Sequence, residues 1–317
     1  MAPCRQDSGP AAVTPAASTS LLTQLASLGI HPKKGLGQNF LIDPEHRARI
    51  VAAAELTSAD TVLEVGPGPG VLTELIAEQA GRVIAVELDD RLMPLLRNRF
   101  ADQPHVSIVH ADILKVDVGK LVSESTNQRI NESPDGETRI THHASRITHY
   151  KVIANLPYYI TSAAIRHLLE SAPPPELLVL TVQREVAERM VAAPPEMSLL
   201  ALGVQFYCTA RIVGRIPAGA FYPAPKVESA VVRLDRRAEP VVPGVTSEAF
   251  FRAARAGFSQ PRKQLRNSLA AGLGLAPVAV ERWLAAVGID PRRRAETLTL
   301  TEWGALALSK ELGVAMR

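Results

Sequence analysis

The stretch NLPYYI, which begins at Asn155, places an amide, a proline and two tyrosines directly after the apolar run KVIA. The side-chain carbonyl of Asn155 can accept one hydrogen of an exocyclic amine, and the backbone carbonyl of Leu156 can accept the second. Pro157 favours an extended conformation at Leu156, so that this carbonyl can face outwards. Tyr158 offers a ring face on which a base can stack, and Tyr159 is expected to serve packing. Taken alone, these residues favour a capped turn with Tyr158 in the core. At the end of a strand beside a cofactor site of the kind described below, they favour a site for the amino group of a base.

The chemistry that fits this arrangement is direct transfer of a group to the amino nitrogen of adenine. The lone pair of that nitrogen is delocalised into the ring, which makes it a poor nucleophile. Two acceptors that hold its hydrogens favour a pyramidal nitrogen, and orientation and electrostatics then carry the rate without a charged base. The target must be unpaired or flipped out of a helix to reach such a pocket. Phe221 and Tyr222, which precede two prolines, are candidates for a second stacking ring or for the core.

A second group of residues is typical of a nucleotide-type cofactor site. The glycines of LEVGPGPGVLTEL, among them Gly66 and Gly68, allow a tight turn and close approach of a ligand. The G-x-G-x-G spacing after Glu64, with prolines that remove amide donors, favours S-adenosylmethionine over a dinucleotide. Glu87 and Asp112 each follow a further strand, where a carboxylate can accept from ribose hydroxyls or the adenine amino group. Helix capping is the alternative role for each carboxylate.

The elements that must position these residues alternate between two types. Five β-rich runs are separated by segments with apolar residues at helical spacing, and the runs cover 61–66, 82–88, 106–111, 151–156 and 176–182. Such strands predict a parallel sheet covered on both faces. Two further strand candidates, LLALGVQFYC and SAVVRL, are expected to form an antiparallel edge. The predicted fold class is therefore α/β, a Rossmann-like class I methyltransferase with a mostly parallel seven-stranded sheet and a small α-helical C-terminal domain.

Composition shifts divide the chain of 317 residues into three parts. Residues 1–20 are rich in Pro, Ala, Ser and Thr, which predicts a disordered tail and not a signal peptide. Residues 21–238 predict the methyltransferase domain, interrupted by a polar surface insertion over 121–150. Residues 239–317 contain short segments of helical spacing and predict a small helical domain, for which the resemblance described below implies RNA binding.

Charge and cysteine content narrow the partners and the compartment. Residues 233–317 contain 14 Lys and Arg against 8 Asp and Glu, whereas residues 1–232 contain 21 against 24. The basic part indicates a polyanionic partner, with a merely solvated basic surface as the alternative. Two cysteines are too few for a disulfide framework and indicate a reducing cytoplasm. Neither a membrane span nor a metal site is expected, since His142, His143 and His149 lack further ligands at suitable spacing.

Six motifs occur in a fixed order along residues 21–310, and they are KKGLGQNFLID, EVGPGPG, VELD, NLPYYIT, FYPAPKVESAVV and FSQPRKQLRNSL. Together they resemble the bacterial 16S ribosomal RNA adenine N6-dimethyltransferases of the KsgA/RsmA type. The resemblance implies an enzyme that uses S-adenosyl-L-methionine to dimethylate N6 of two adjacent adenosines near the 3′ end of 16S rRNA. Its partner would be the 30S subunit or its precursor, and a monomer is expected.

The resemblance also implies roles for individual residues. The cofactor-binding residues would be Asn39, Leu41, Gly66, Gly68, Glu87, Asp112 and Asn155. The residues that orient and sandwich the target base would be Asn155, Leu156, Tyr158 and Phe221. Phosphate contacts would come from Arg262, Lys263, Arg266, Arg292, Arg293 and Arg294, for which a solvated helix face is the alternative.

Two departures from the family pattern and three alternatives stay open. The insertion over 121–150 is longer than usual, and VAAPPEMSLLALGVQFY lacks the family's Gly-Ser/Thr-Lys-x-Tyr-Gly run. The alternatives are the related 23S rRNA adenine methyltransferase of macrolide resistance, a non-catalytic ribosome-assembly or transcription factor, and an NAD-dependent oxidoreductase. RKQLRNSL and RAETLTL fit the small-subunit enzyme better, and the intact Asn155 and Tyr158 argue against loss of catalysis.

Overall fold

The computed structural model describes residues 16–27, 29–124, 149–239 and 241–309. In these ranges the strands are β1 (Phe40–Leu41), β2 (Thr61–Val65), β3 (Arg82–Glu87), β4 (Val106–His110), β5 (Lys151–Asn155), β6 (Leu177–Gln183), β7 (Cys208–Ile216), β8 (Phe221–Tyr222) and β9 (Ser229–Arg236). The helices are α1 (Ala16–Ser27), α2 (Pro44–Ala53), α3 (Val71–Ala77), α4 (Met93–Arg99), α5 (Val118–Glu124), α6 (Thr161–Leu169), α7 (Arg184–Met190), α8 (Leu199–Gln205), α9 (Ser247–Gly257), α10 (Leu265–Leu273), α11 (Pro277–Ala286) and α12 (Leu300–Leu308).

Seven strands form one sheet in the order β4-β3-β2-β5-β6-β9-β7. The five strands from β2 to β6 pair in parallel, and β9 pairs antiparallel with both β6 and β7. Parallel neighbours require long crossovers, and helices supply them here. The sheet order and strand directions confirm the predicted mostly parallel, seven-stranded α/β fold. A separate two-stranded ribbon joins β1 to β8.

Both faces of the sheet are buried, which accounts for the continuous apolar character of its strands. Successive residues of a strand point to opposite faces, and Val62 and Leu63 accordingly lie in two different core clusters. Helices α2 and α3 cover the face of Val62, whereas α5, α6 and α7 cover the face of Leu63. Because the strands are parallel and helices cover both faces, the turns that follow the strands lie together at one edge of the sheet.

Helices α9 to α12 form a second core around Trp283 and Trp303, which are 1% and 0% exposed. Helix α8 contributes to this core as well, since the Phe206 ring that follows it lies 4.5 Å from the Phe250 ring. On its other side Val204 packs in the core of the sheet. The predicted C-terminal helical domain is thus present, and α8 joins it to the sheet.

The prediction of a strand over LLALGVQFYC is wrong. Residues Leu199–Gln205 form helix α8, whose first turn is capped by the Ser198 hydroxyl accepting from the Ala201 amide at 3.1 Å. Strand β7 begins only at Cys208. Because α8 is buried between two cores, its sequence is apolar on several sides, and periodicity alone cannot distinguish such a helix from a buried strand.

Two predicted boundaries also differ from the structure. Helix α1 begins at Ala16, inside the predicted tail of residues 1–20. The predicted insertion over 121–150 contains core residues at both ends, since Val122 and Tyr150 are 0% and 1% exposed. The Tyr150 hydroxyl lies 2.9 Å from that of Ser171. Residues 1–15 and the rest of the insertion, with His142 and His143, lie outside the described residues.

In the part of the chain that the structure describes, no single helix is long and apolar enough to cross a membrane. Helices α10 and α11 reach the length and apolar composition of a membrane span only when taken together, and the pair is bent by 118°. The same described ranges contain no group of three His, Cys, Asp or Glu side chains arranged to hold a metal ion.

Candidate active site at the carboxyl edge of the sheet

A cavity lies where β2, β3, β4 and β5 end, because the carboxyl ends of parallel strands meet at one edge of the sheet. Residues 36–40, which lead into β1 and include its first residue, form the remaining wall of the cavity. Most of the predicted site residues line it together, namely Asn39, Gly66, Gly68, Glu87, Asp112, Asn155, Leu156 and Tyr158. The structure therefore brings the two predicted sites, for cofactor and for target base, into one cavity.

The glycine turn after β2 has two backbone positions in the left-handed region. Gly66 has φ 70° and Gly68 has φ 58°, conformations that favour glycine. No atom lies within 4 Å of where a Cβ on Gly66 would stand, so open space of the cavity adjoins this backbone. A Cβ on Gly68 would instead stand 3.1 Å from the Phe40 ring. Gly66 thus borders the ligand space, while Gly68 lets the N-terminal segment pack closely.

The Glu87 carboxylate at the end of β3 is held by three backbone amides. It accepts from Gly68 N at 3.0 Å and from Leu88 N and Asp89 N at 2.8 Å each. Burial raises the pKa of Glu87 above its ordinary value, and the three amides oppose this rise. Oε2 accepts only the Gly68 bond and keeps further acceptor capacity at the wall of the cavity.

Asp112 lines the cavity after β4. One of its carboxylate oxygens is used by a backbone amide two residues further along the chain. Oδ1 accepts from the Leu114 amide at 3.1 Å, and Oδ2 lies 3.6 Å from Lys115 Nζ. This bond closes a local turn and is not the helix cap that was the alternative for Asp112, since α5 begins only at Val118. Its predicted contact with adenine stays a prediction, which the side chain's place on the cavity wall permits.

Gln38 lines the cavity and is held by Asp89, and neither residue was predicted from the sequence. The Asp89 carboxylate is buried and accepts from Gln38 Nε2 at 2.8 Å and from Arg91 Nη2 at 2.6 Å. The Arg91 and Gln38 hydrogen bonds hold the pKa of Asp89 far below its usual range. This contact ties the N-terminal segment to the end of β3. Asp89 is the second acidic residue of VELDD, and this run of acidic residues was the sequence signal that could have identified it.

Asn155 is oriented by a contact from the N-terminal segment. Its Nδ2 donates to the Asn39 carbonyl oxygen at 3.1 Å, which leaves Oδ1 as the free acceptor of the amide. Leu156 N donates to Thr181 O at 3.2 Å, and no donor in the described ranges bonds to the Leu156 carbonyl. Pro157 has φ −56° and ψ 132°, an extended conformation. Two consecutive residues at the end of β5, both of which line the cavity, therefore each have a carbonyl acceptor that no donor in the described ranges uses.

Tyr158 is half-buried, and its hydroxyl lies 2.8 Å from that of Ser229, which is fully buried at the start of β9. Burial raises the pKa of Tyr158, so the phenol is neutral at physiological pH. This contact fixes the ring against the wall of the cavity. Tyr159, which was expected to serve packing, has its ring against Gly37 of the N-terminal segment, and it also lines the cavity and is 61% exposed.

Two predicted site residues do not line the cavity. Leu41 and Phe221 are partners across the ribbon of β1 and β8, and they are 5% and 3% exposed. Both pack in the core beneath the ribbon. Their neighbours Phe40 and Tyr222 form the alternate pair, which lies on the other face of the ribbon. In this structure Phe221 is therefore a core residue, and Tyr222, 42% exposed, is the ring of that motif that reaches the surface.

The six basic residues predicted to contact RNA fall into two groups. Arg266 pairs with Glu281, and Arg293 pairs with Glu302, so these two guanidiniums serve the helical domain. Arg292 and Arg294 are exposed and have only local carboxylate partners. Arg262 and Lys263 are exposed, and neither has an ion-pair partner among the residues that the structure describes.

Backbone contacts place the two predicted basic segments next to each other. Leu265 N donates to Arg293 O at 2.7 Å, and Arg266 N donates to Pro291 O at 3.3 Å. The loop before α10 and the loop after α11 therefore form one basic surface.

Glu64 in β2 is 1% exposed, and neither carboxyl oxygen has a hydrogen-bond partner among the described residues. Burial raises the pKa of Glu64 to about 8, and the nearby Glu87 charge adds to the rise. The group is therefore largely neutral at pH 7.

Comparison with known proteins decides the family. The family model described as ribosomal RNA adenine dimethylase matches residues 30–310. The chain belongs to this family. A relative in Dehalococcoides mccartyi, named Ribosomal RNA small subunit methyltransferase A, is 43% identical over 295 residues, which cover 93% of this chain and 94% of the relative. A protein of the same name from Lysinibacillus sphaericus is 40% identical over 297 residues, 92% of this chain and 95% of that one.

Solved structures agree with this assignment to the ribosomal RNA adenine dimethylase family. The crystal structure of the 23S rRNA methyltransferase ErmE is 28% identical, with a TM-score of 0.63 and coverage of 87% of this chain and 100% of that one. A dimethyladenosine transferase from Plasmodium falciparum has a TM-score of 0.64 and is 23% identical, with coverage of 84% of this chain and 95% of that one. This second comparison shows a likeness of fold.

Membership in the ribosomal RNA adenine dimethylase family confirms four predictions. These are the resemblance itself, the class I methyltransferase fold, the enzymatic activity and S-adenosyl-L-methionine as the cofactor. Membership also removes the oxidoreductase alternative, for which the glycine turn was the only support.

Proposed function

We propose that this enzyme dimethylates N6 of two adjacent adenosines near the 3′ end of 16S rRNA, in the 30S subunit or its precursor. The observation that carries the proposal is the pair of free carbonyl acceptors on Asn155 and Leu156, with the Asn155 amide anchored to Asn39. The small-subunit assignment is supported by relatives of that name, which are 40% and 43% identical over more than nine-tenths of the chain.

The residues of the cavity fit S-adenosyl-L-methionine. The open space beside Gly66 allows a ligand to approach the backbone, and the anchored Glu87 carboxylate presents acceptor capacity for ribose hydroxyls. Asp112 would hold the adenine and Asn39 the methionine end, both from the wall of the cavity. When bound, the cofactor supplies an electrophilic methyl group on a sulfonium centre.

The protein's contribution to the transfer is orientation of the target amine. Asn155 Oδ1 accepts one N6 hydrogen and the Leu156 carbonyl accepts the other, so that the nitrogen lone pair is turned out of conjugation with the ring. Tyr158, held by Ser229, stacks on the base and limits its tilt. After transfer the nitrogen carries the positive charge and is acidic, so it gives its proton to solvent and needs no charged general base.

The two acceptors also bear on the second methyl transfer. A monomethylated nitrogen keeps one hydrogen, which only one of the two carbonyls can hold. The second transfer therefore depends on a single acceptor and on room for the first methyl group beside the other.

The structural likeness to ErmE favours a second candidate, methylation of 23S rRNA. Incubation with radiolabelled S-adenosyl-L-methionine separates the two, with purified 30S particles in one reaction and 23S-containing RNA in the other. We expect label in the RNA of 30S particles and none above background in 23S rRNA. Label in 23S rRNA alone would overturn the small-subunit proposal.

We also propose a monomer that acts in the cytoplasm and binds RNA phosphates through Arg262, Lys263, Arg292 and Arg294. The exposure of these four side chains supports the phosphate contacts. Light scattering that gives the 34.1 kDa mass of one chain would support the monomer, and twice that mass would contradict it.

A further inference from the structure

We infer that a second cavity, at the junction of the sheet domain and the C-terminal helices, binds an unpaired nucleotide of the RNA substrate. The cavity has a volume of about 360 Å³ and lies between α6, α7, α8 and α9. This volume is within the range of small-molecule sites, roughly 300–1,000 Å³. The inference rests on the proposed function, since it adds a second contact for the same RNA.

The walls of the second cavity combine apolar surface with positive charge. Phe251 and Tyr207 are half-buried there, and Leu199 is 41% exposed, which is unusual for a large apolar side chain. Aromatic and apolar side chains of this kind contact the faces of unpaired bases without regard to sequence. An apolar wall that remains open to solvent therefore suits a base.

The rim carries three arginines. Arg166 pairs with Glu170 on the same helix. Arg189 and Arg255 are exposed, and within the ranges that the structure describes neither has an ion-pair partner. Three positive charges against one negative charge favour an anion, and a guanidinium matches the geometry of phosphate. Base and phosphate together define a nucleotide.

Gly203 gives an independent reason to regard this cavity as a site. It lies inside helix α8 and lines the cavity, although glycine is among the poorest helix formers. Packing does not require it, since no atom lies within 4 Å of where its Cβ would stand. Its effect is to keep the floor of the cavity open to a ligand.

The position of the cavity fits an RNA strand that also reaches the active site. Helix α6 begins directly after Ile160, which lines the first cavity, and its residues Ser162 and Ile165 line the second. Arg166 lies about 8 Å along α6 from its first residue, Thr161, at 1.5 Å per residue. That distance corresponds to roughly two stacked nucleotides at 3.4 Å each. A single strand that enters the first cavity can therefore reach the second within a few nucleotides.

The test measures binding of a fluorescein-labelled, unstructured 12-nucleotide RNA to the full chain by anisotropy, at several salt concentrations. We expect Arg189→Gln and Arg255→Gln each to raise the Kd roughly three-fold and to lower the slope of log K against log salt by about 0.7. Arg97→Gln is the matched control, because Arg97 is exposed on α4, at the opposite edge of the sheet, and has no ion pair among the described residues.

Gly203→Leu fills the cavity without changing charge, and leucine is a better helix former than glycine. We expect it to raise the Kd at least five-fold while the melting temperature stays equal or rises, so that weaker binding is not a folding defect. Binding by Gly203→Leu and by both arginine variants at the level of the wild type would overturn the inference. If the wild type binds the RNA and methylates 30S particles in that case, the proposed function stands and only the second cavity is excluded.

Discussion

Asn155 Nδ2 and the Asn39 carbonyl oxygen are 3.1 Å apart, although the two residues are separated by 116 positions in the sequence. Because Asn155 donates an Nδ2 hydrogen to the Asn39 carbonyl, the side-chain carbonyl oxygen of Asn155 is turned away from that contact and is available to a substrate amine. The N-terminal segment thus orients Asn155, which in turn orients the substrate amine. The Asn39 side chain does not make this bond, since its own Nδ2 donates to the Gly37 carbonyl at 3.2 Å.

Replacing Asn155 by alanine should separate catalysis from cofactor binding. We expect methyl transfer to fall by roughly 10²-fold or more, a loss comparable to removal of one preorganised hydrogen-bonding group from an active site. The Kd for S-adenosyl-L-methionine, measured by calorimetry, should change little. Asn98→Ala, at an exposed position of α4, is the control. Equal losses of transfer and cofactor affinity in Asn155→Ala would show that Asn155 is a scaffold residue.

The Tyr158 ring and its hydroxyl should contribute separately. Tyr158→Phe keeps the stacking face and loses the contact with Ser229, so we expect a modest loss of activity. Tyr158→Ala loses the stacking surface as well, which is worth roughly 1–3 kcal/mol for a base on an aromatic ring. Steady-state kinetics with 30S particles measures both variants. If Tyr158→Phe were as defective as Tyr158→Ala, the hydroxyl and not the ring would be the important group.

The basic surface before α10 should contain both RNA contacts and structural arginines. Arg262→Gln and Lys263→Gln should each lower the salt dependence of RNA binding, by about 0.7–0.9 in the slope of log K against log salt, and leave stability unchanged. Arg266→Gln should instead destabilise the helical domain, because it removes the partner of Glu281. Urea unfolding and RNA binding at graded salt measure the two effects. A stable Arg266→Gln with weakened RNA binding would contradict this division.

Glu64 should make stability depend on pH. Its pKa is about 8 in the folded protein against 4.5 as the ordinary value, so the folded state retains a proton that the unfolded state releases. The stabilisation is complete below pH 4.5 and is lost as the pH rises towards 8, with a slope of at most about 1.4 kcal/mol per pH unit. Glu64→Gln, which mimics the neutral acid, should lose this dependence. Parallel pH profiles of unfolding free energy for the two proteins would contradict the assignment.

The sequence predicted the sheet and the main site residues for a definite physical reason. Parallel strands buried on both faces are continuously apolar, so polar residues at their carboxyl ends, such as Glu87 and Asn155, stand out in the sequence. Helix α8 was mistaken for a strand because burial between two cores removes the helical periodicity. The burial of Leu41 and Phe221 could not be predicted, because it depends on the pairing of two short strands that are distant in sequence.

Contacts between distant segments were equally invisible to the sequence. Ser229 supports Tyr158 from another strand, and Gln38 reaches Asp89 from the N-terminal segment. Neither pair carries a local motif. The division of the basic residues also depends on tertiary structure, since Arg266 lies within reach of Glu281 on α11 whereas Arg262 has no ion-pair partner among the described residues.

The central claim is that the cavity holds the N6 amine of adenosine between Asn155 and Leu156 for two successive transfers. The most direct test is mass spectrometry of 16S rRNA from unmethylated 30S particles, after incubation with the protein and isotopically labelled S-adenosyl-L-methionine. We expect two adjacent adenosines near the 3′ end, each with two labelled methyl groups on N6, and none with Asn155→Ala. Label on another atom or base, or in 16S rRNA treated with the variant at the wild-type level, would contradict it.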